Sequence, residues 1–82
     1  MTADRVRRII AAMAPQPPAE LADTDRLVED LGFESLRLME LTVALERGFG
    51  LPRYQPEELI GVRRVGDVVA LVRGSLGERV RP

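Results

Sequence analysis

The sequence predicts an all-α fold of four helices, three longer ones and one short third helix, with a long loop between the first two. Three stretches carry apolar residues at helical spacing, and no stretch sustains the period-two alternation of a half-buried strand. All six prolines lie outside the periodic stretches, where they punctuate rather than interrupt.

The first helix is expected from about Ala3 to Met13, with Val6, Ile9, Ile10 and Met13 forming one stripe and Arg5, Arg7 and Arg8 lying off it. Thr2 is placed to cap its start, Asp4 complements the dipole in the first turn, and Pro15 ends it. Residues 14–33 have three prolines and no periodicity, which makes them a loop. Leu21, Leu27 and Leu31 are expected to pin it to the core and keep it ordered.

The second helix is expected from Ser35 or Leu36 to about Arg47, with Gly48 and Gly50 as stop signals. A short turn or two should surround Glu57 to Ile60. The last helix should span about Val65 to Leu76, with Val65, Val68, Val69, Val72 and Leu76 on its inward side and Gly77 closing it. The whole is read as one domain, 1–82, with a folded core at 3–76 and a frayed tail at 77–82.

Eighty-two residues give a core near the lower limit for independent folding, hiding somewhat more than ~60% of the unfolded surface. There is no Cys, so no disulfide supports it and no thiolate is available. No targeting segment is visible, and no apolar run approaches the ~20 residues needed to cross a bilayer. A cytoplasmic protein that does not enter a membrane is the expectation.

The net charge of −1 conceals an asymmetry: residues 16–46 hold eight acids against Arg26 and Arg37, a local balance of −6. The twelve arginines are scattered and form no basic stripe, which argues against nucleic-acid binding.

The chain has no His, Cys or Lys, so a serine nucleophile would find no ordinary base and a Cys/His metal site has no ligands. The carboxylate pairs Glu29–Asp30 and Glu57–Glu58 are sequence neighbours with no implied pocket, a poor acid/base arrangement. The chain is not expected to be an enzyme.

The second helix has two apolar stripes. Leu38, Leu41, Leu45 and Phe49 form one. Leu36, Met39 and Val43 form another, roughly 150° away on a helical wheel and flanked by Glu40, Glu46 and Arg47. A four-helix domain this small can hardly cover both, so the second stripe should be more accessible than Leu38, Leu41 and Leu45, as a contact surface rimmed by charge. The alternative is that it packs under the long loop. Ser35, at the start of this helix, has two readings also: an N-cap, or a hydroxyl exposed for attachment of a group by another enzyme.

The segment "DTDRLVEDLGFESLRLMELTVALERGFGLP" resembles the centre of an acyl carrier protein, a member of the phosphopantetheine-binding four-helix family. The likeness covers about residues 4–76. It rests on Leu31, Gly32, Phe33, Glu34, Ser35 and Leu36, then Leu45, Glu46 and Phe49, and on "VGDVVALV" at the last helix.

The resemblance implies that a phosphopantetheinyl transferase attaches 4′-phosphopantetheine to Ser35, whose thiol carries an acyl group as a thioester to separate enzymes. It implies docking through Glu34, Leu36, Met39, Glu40, Val43 and Glu46, and a possible acyl pocket lined by Leu38, Leu41 and Val62. Its partners would be that transferase, an acyl- or aminoacyl-loading enzyme and downstream synthase enzymes, met by a monomeric carrier.

Several positions depart from the family pattern. Glu34 replaces an Asp, Arg37 and Arg47 replace frequent acids, Arg64 replaces a capping Thr, and Gly48 interrupts helix. These suggest a specialised carrier for polyketide, modified fatty acid or hybrid metabolism. An aminoacyl or peptidyl carrier of nonribosomal synthesis is the nearest alternative, although Phe33 stands where those have Gly. An unmodified helical docking module is a third reading.

Overall fold

The computed structural model describes residues 1–78. Four helices are present among the described residues: α1 (Thr2–Met13), α2 (Ser35–Phe49), α3 (Pro56–Leu59) and α4 (Val65–Ser75). No strand occurs among the described residues, so the chain is all-α as its periodicity predicts.

The core lies where the helical stripes meet. Val6 and Ile10 of α1, Leu41 and Leu45 of α2, and Val65, Val68, Val69 and Val72 of α4 are all buried. α1 packs against both α2 and α4. No side-chain polar group is left buried without a partner among the described residues.

The long loop is ordered because its apolar residues complete this core. Leu27, Leu31 and Phe33 are buried and Leu21 packs against the cluster. Its backbone groups find partners too. The Leu27 N–H donates to Arg63 O at 2.9 Å, and the Val65 N–H donates to Asp25 O at 3.0 Å, a single antiparallel bridge to the start of α4.

Gly66 permits this approach. Its N–H donates to Asp23 O at 2.9 Å, and a Cβ there would lie only 3.2 Å from Asp23 Cβ. The Arg7 guanidinium donates to both Asp23 carboxylate oxygens, at 2.9 and 3.0 Å, and ties the loop to α1.

Three helix-end expectations need correction. Thr2 does not cap α1: the helix already includes it, Met1 is the cap, and the Thr2 hydroxyl donates to Glu78 Oε2 at 2.6 Å. α2 continues through Gly48 to Phe49 and stops at Gly50, whose φ of +64° is left-handed. Here Arg5 bridges the helices, donating to Gly48 O at 2.8 Å while its guanidinium lies 4.4 Å from the Phe49 ring centroid.

The start of α4 does lose a side-chain cap at Arg64, as the sequence suggests. A guanidinium cannot accept a hydrogen bond, but Asp67 reaches back and accepts from the Arg63 and Arg64 N–H groups, at 3.0 and 2.9 Å. Finally, Leu76 lies past the end of α4 and is exposed rather than inward. Beyond it, Glu78 also accepts from Arg73 at 3.2 Å. The rest of the expected tail, 79–82, lies outside the described residues.

Candidate functional site

Ser35 is presented by the residues before it. Phe33 is sunk into the core at 1% exposure, and its N–H donates to Leu27 O at 3.0 Å. Gly32 makes the turn into it with φ +79°; a side chain there would also press on Gln16, whose Cγ would lie 3.2 Å from the added Cβ. With Phe33 anchored inward, the chain emerges at Glu34 and Ser35, both exposed.

The capping reading of Ser35 does not hold. Ser35 is the first residue of α2, and the cap position belongs to Glu34, which makes no side-chain cap bond. The Ser35 hydroxyl has no hydrogen-bond partner among the described residues. It is an open oxygen at a helix start, where the backbone N–H groups favour an anion.

Directly after Ser35, the second stripe is uncovered. Leu36 is 62% exposed, Met39 66% and Val43 44%, against 3% for Leu41 and 4% for Leu45. Leu38 lies between these extremes. The loop does not fold over the stripe.

The charges around it are weaker than a count of acids suggests. Arg37 Nη1 donates to Glu40 Oε1 at 3.2 Å, and Arg37 Nε donates to Met13 O, capping the end of α1. The Glu46 carboxylate accepts from the Tyr54 N–H at 2.7 Å, which holds it toward the α2–α3 connection. Glu34 has no such partner among the described residues.

Leu38, Leu41 and Val62 do come together, around an apolar cavity of about 200 Å³ between α2, α3 and α4. Tyr54, Leu59 and Leu71 complete much of the wall. Its hydroxyls are occupied. Thr42 donates to Leu38 O at 2.9 Å, and Ser75, bonded to Leu71 O at 2.8 Å, also meets the Tyr54 hydroxyl at 2.8 Å. Burial pushes the Tyr54 phenol above its ordinary value, so it stays neutral.

A second, open groove of about 460 Å³ shares Leu27, Leu38 and Val62 with this cavity and is edged by Arg26, Arg63 and Arg64. Sequence reasoning missed Tyr54 and this arginine edge. Tyr54 belongs to no periodic stretch, and the arginines come from segments distant in sequence. Phe33 was legible as a motif position, but not as the buried anchor that it is.

The site holds no base beside Ser35, and among the described residues no cluster of three potential metal ligands exists. No helix among them is long and apolar enough to cross a membrane. The arrangement brings together an exposed hydroxyl, an exposed apolar strip, a small apolar cavity and a groove lined by three arginines.

A profile for the phosphopantetheine attachment site matches residues 4–72. The chain is 34% identical over 68 residues to the meromycolate extension acyl carrier protein of Mycobacterium tuberculosis, covering 83% of this chain and 58% of that protein. It thus spans less than two thirds of the mycobacterial relatives it matches. It is 33% identical over 69 residues to an acyl carrier protein of Wolinella succinogenes, 84% of this chain and 90% of that one. To an acyl carrier protein of Saccharopolyspora erythraea it is 35% identical over 68 residues, 83% and 70% of the two chains.

Proposed function

The chain belongs to the phosphopantetheine-binding carrier family, and from that premise we propose that Ser35 bears 4′-phosphopantetheine and that the protein presents an acyl group to separate biosynthetic enzymes. The observation that carries this is the Ser35 hydroxyl itself, exposed and unpartnered at the first position of α2 within the Leu31–Leu36 segment. When attached, the arm supplies a terminal thiol that takes cargo as a thioester.

Everything else asked of the chain is positioning. Ser35 contributes an oxygen, and its proton must leave to a base of the transferase, since the chain has no His, Lys or Cys. Phe33 and Gly32 fix where that oxygen stands. Leu36, Met39 and Val43 give the visiting enzyme an apolar contact, with Glu34 as its unneutralised acid and Glu40 and Glu46 at the edges. Such rim charges orient encounter more than they tighten it.

The lining of the cavity favours an acyl cargo over an aminoacyl one. Leu38, Leu41 and Val62 offer apolar surface, and among the described residues no carboxylate lines the cavity to pair with an ammonium drawn out of water. The proposed setting is a monomeric cytoplasmic carrier serving polyketide, modified fatty acid or hybrid biosynthesis.

The test is intact mass after incubation with coenzyme A, magnesium and a broad-specificity phosphopantetheinyl transferase. Wild type should gain one phosphopantetheine, and Ser35→Ala should gain none. No gain with several transferases would favour the unmodified docking module, for which the uncovered stripe on α2 is the supporting feature.

A further inference from the structure

Arg26, Arg63 and Arg64 line the groove that contains Leu38, and the side chain of one of them has no polar partner among the described residues. Arg26 donates to Asp30 at 3.1 and 3.3 Å, and Arg64 Nη1 donates to Thr24 O at 2.9 Å. The Arg63 side chain makes no hydrogen bond or ion pair among the described residues; only its backbone N–H is engaged, with Asp67. Arg63 nevertheless stands on the groove edge, opposite a floor of Leu27, Leu38 and Val62.

The floor connects this edge to the attachment point. Leu38 is three residues beyond Ser35 on α2, so the two side chains are neighbours, with Cβ atoms roughly 5–6 Å apart. A phosphodiester on the Ser35 oxygen therefore begins within about one helical turn of the groove. Arginine suits such a group, because its planar fork matches two phosphate oxygens at once.

We propose that Arg63 binds the phosphodiester of the Ser35-linked arm and lays the arm's first segment across Leu38 and Val62 instead of leaving it in solvent. This rests on reading Ser35 as the attachment point. Arg63 is then a positioning residue, which aims the arm toward the cavity that shares the same floor.

The acids nearby do not cancel it. Asp30 is held by Arg26, and Asp67 by the backbone N–H groups of Arg63 and Arg64, which draw both carboxyls below their ordinary range and keep them occupied. Glu29, also on the groove, is the carboxylate left to compete.

The experiment uses the full chain, modified as above and confirmed by mass. Phosphorus NMR and nuclear Overhauser effects from the arm's gem-dimethyl group are compared in wild type, Arg63→Gln, Arg63→Lys and Arg53→Gln. The expected result is arm contacts to Leu38 and Val62 in wild type, their loss with a shifted phosphorus resonance in Arg63→Gln, partial return in Arg63→Lys, and no change in Arg53→Gln. Identical phosphorus spectra and absent arm contacts in all four modified proteins would overturn the inference while leaving the carrier reading intact. Failure of the mass gain would instead remove the carrier reading, and this one with it.

Discussion

Glu34 and Ser35 show how two adjacent residues divide the work at a helix start. The cap position falls on Glu34, whose backbone is extended at φ −106° and ψ 175° but whose side chain bonds no N–H of the first turn. Glu is one methylene too long for that bond, whereas Asp is among the preferred caps. Glu34→Asp should therefore stabilise the fold by about 0.5–1 kcal/mol, visible as a higher urea midpoint with unchanged slope. An unchanged midpoint would mean that the open first turn costs nothing. Ser35 was legible as a candidate from its motif, and as one of two helix starts the sequence left open. The choice between them was not legible, because Ser is the better cap and would leave Leu36 as the first helical residue. Glu40 and Glu46 were legible as acids flanking the outer stripe, and the i,i+3 spacing makes Arg37 a neighbour of Glu40. The bond from the Tyr54 N–H to Glu46 lies beyond what helical spacing locates.

At the scale of elements, α2 and α4 each contain a glycine or an acid whose role depends on where the helix ends. Gly48 is helical, and a Cβ there would meet only Ile9 Cδ1, at an ordinary 3.5 Å. Gly50 ends the helix in the left-handed region at φ +64°. Gly48→Ala should thus stabilise by up to about 1 kcal/mol, and Gly50→Ala should destabilise by about 1–2 kcal/mol. Thermal melts of the two variants that shift in the same direction would contradict this assignment of the helix end. Sequence pattern placed both glycines at a stop but could not choose between them, since the packing of Arg5 and Phe49 extends the helix by half a turn.

At α4 the family likeness put the loss of a cap at Arg64, and Asp67, three residues on, offsets it by accepting from the Arg64 N–H. Two backbone N–H bonds, from Arg63 and then Arg64, hold the Asp67 carboxyl below its ordinary value. A group whose folded pKa is depressed stabilises above its unfolded pKa and loses that contribution as pH falls through the folded one. Asp67→Ala should accordingly cost about 1 kcal/mol at pH 7, and the gap to wild type should close as pH drops below about 4. Urea titrations at several pH values read this directly; a gap that persisted into acid would show that the carboxylate charge is not what matters.

At the scale of the molecule, the fold leaves one helix serving two surfaces, and this was the part the sequence made most legible. Seven apolar residues on α2 fall into two stripes, and a core built from α1, α4 and the loop can absorb only one of them. What pattern could not supply was the third dimension. Leu27 of the loop, Val62 and Tyr54 help enclose a cavity on the core side, where sequence spacing shows separate segments. The two surfaces of α2 should consequently separate stability from recognition. Leu41, at 3% exposure, leaves a void when truncated, so Leu41→Ala should cost about 2–5 kcal/mol, a large share of what a domain this size has. Leu36→Ala and Met39→Ala remove side chains that are mostly in solvent already and should stay within about 0.5 kcal/mol of wild type. Their effect should appear in the transferase reaction, as a raised KM for the carrier with the melting curve unmoved, because the lost contact is one made only with the visitor. If Leu36→Ala and Met39→Ala lowered stability as Leu41→Ala does, the stripe would belong to the core; if all three left the KM alone, the docking face would lie elsewhere. A raised KM confined to the two exposed positions is the result that assigns the outer face of α2 to partners and the inner face to folding.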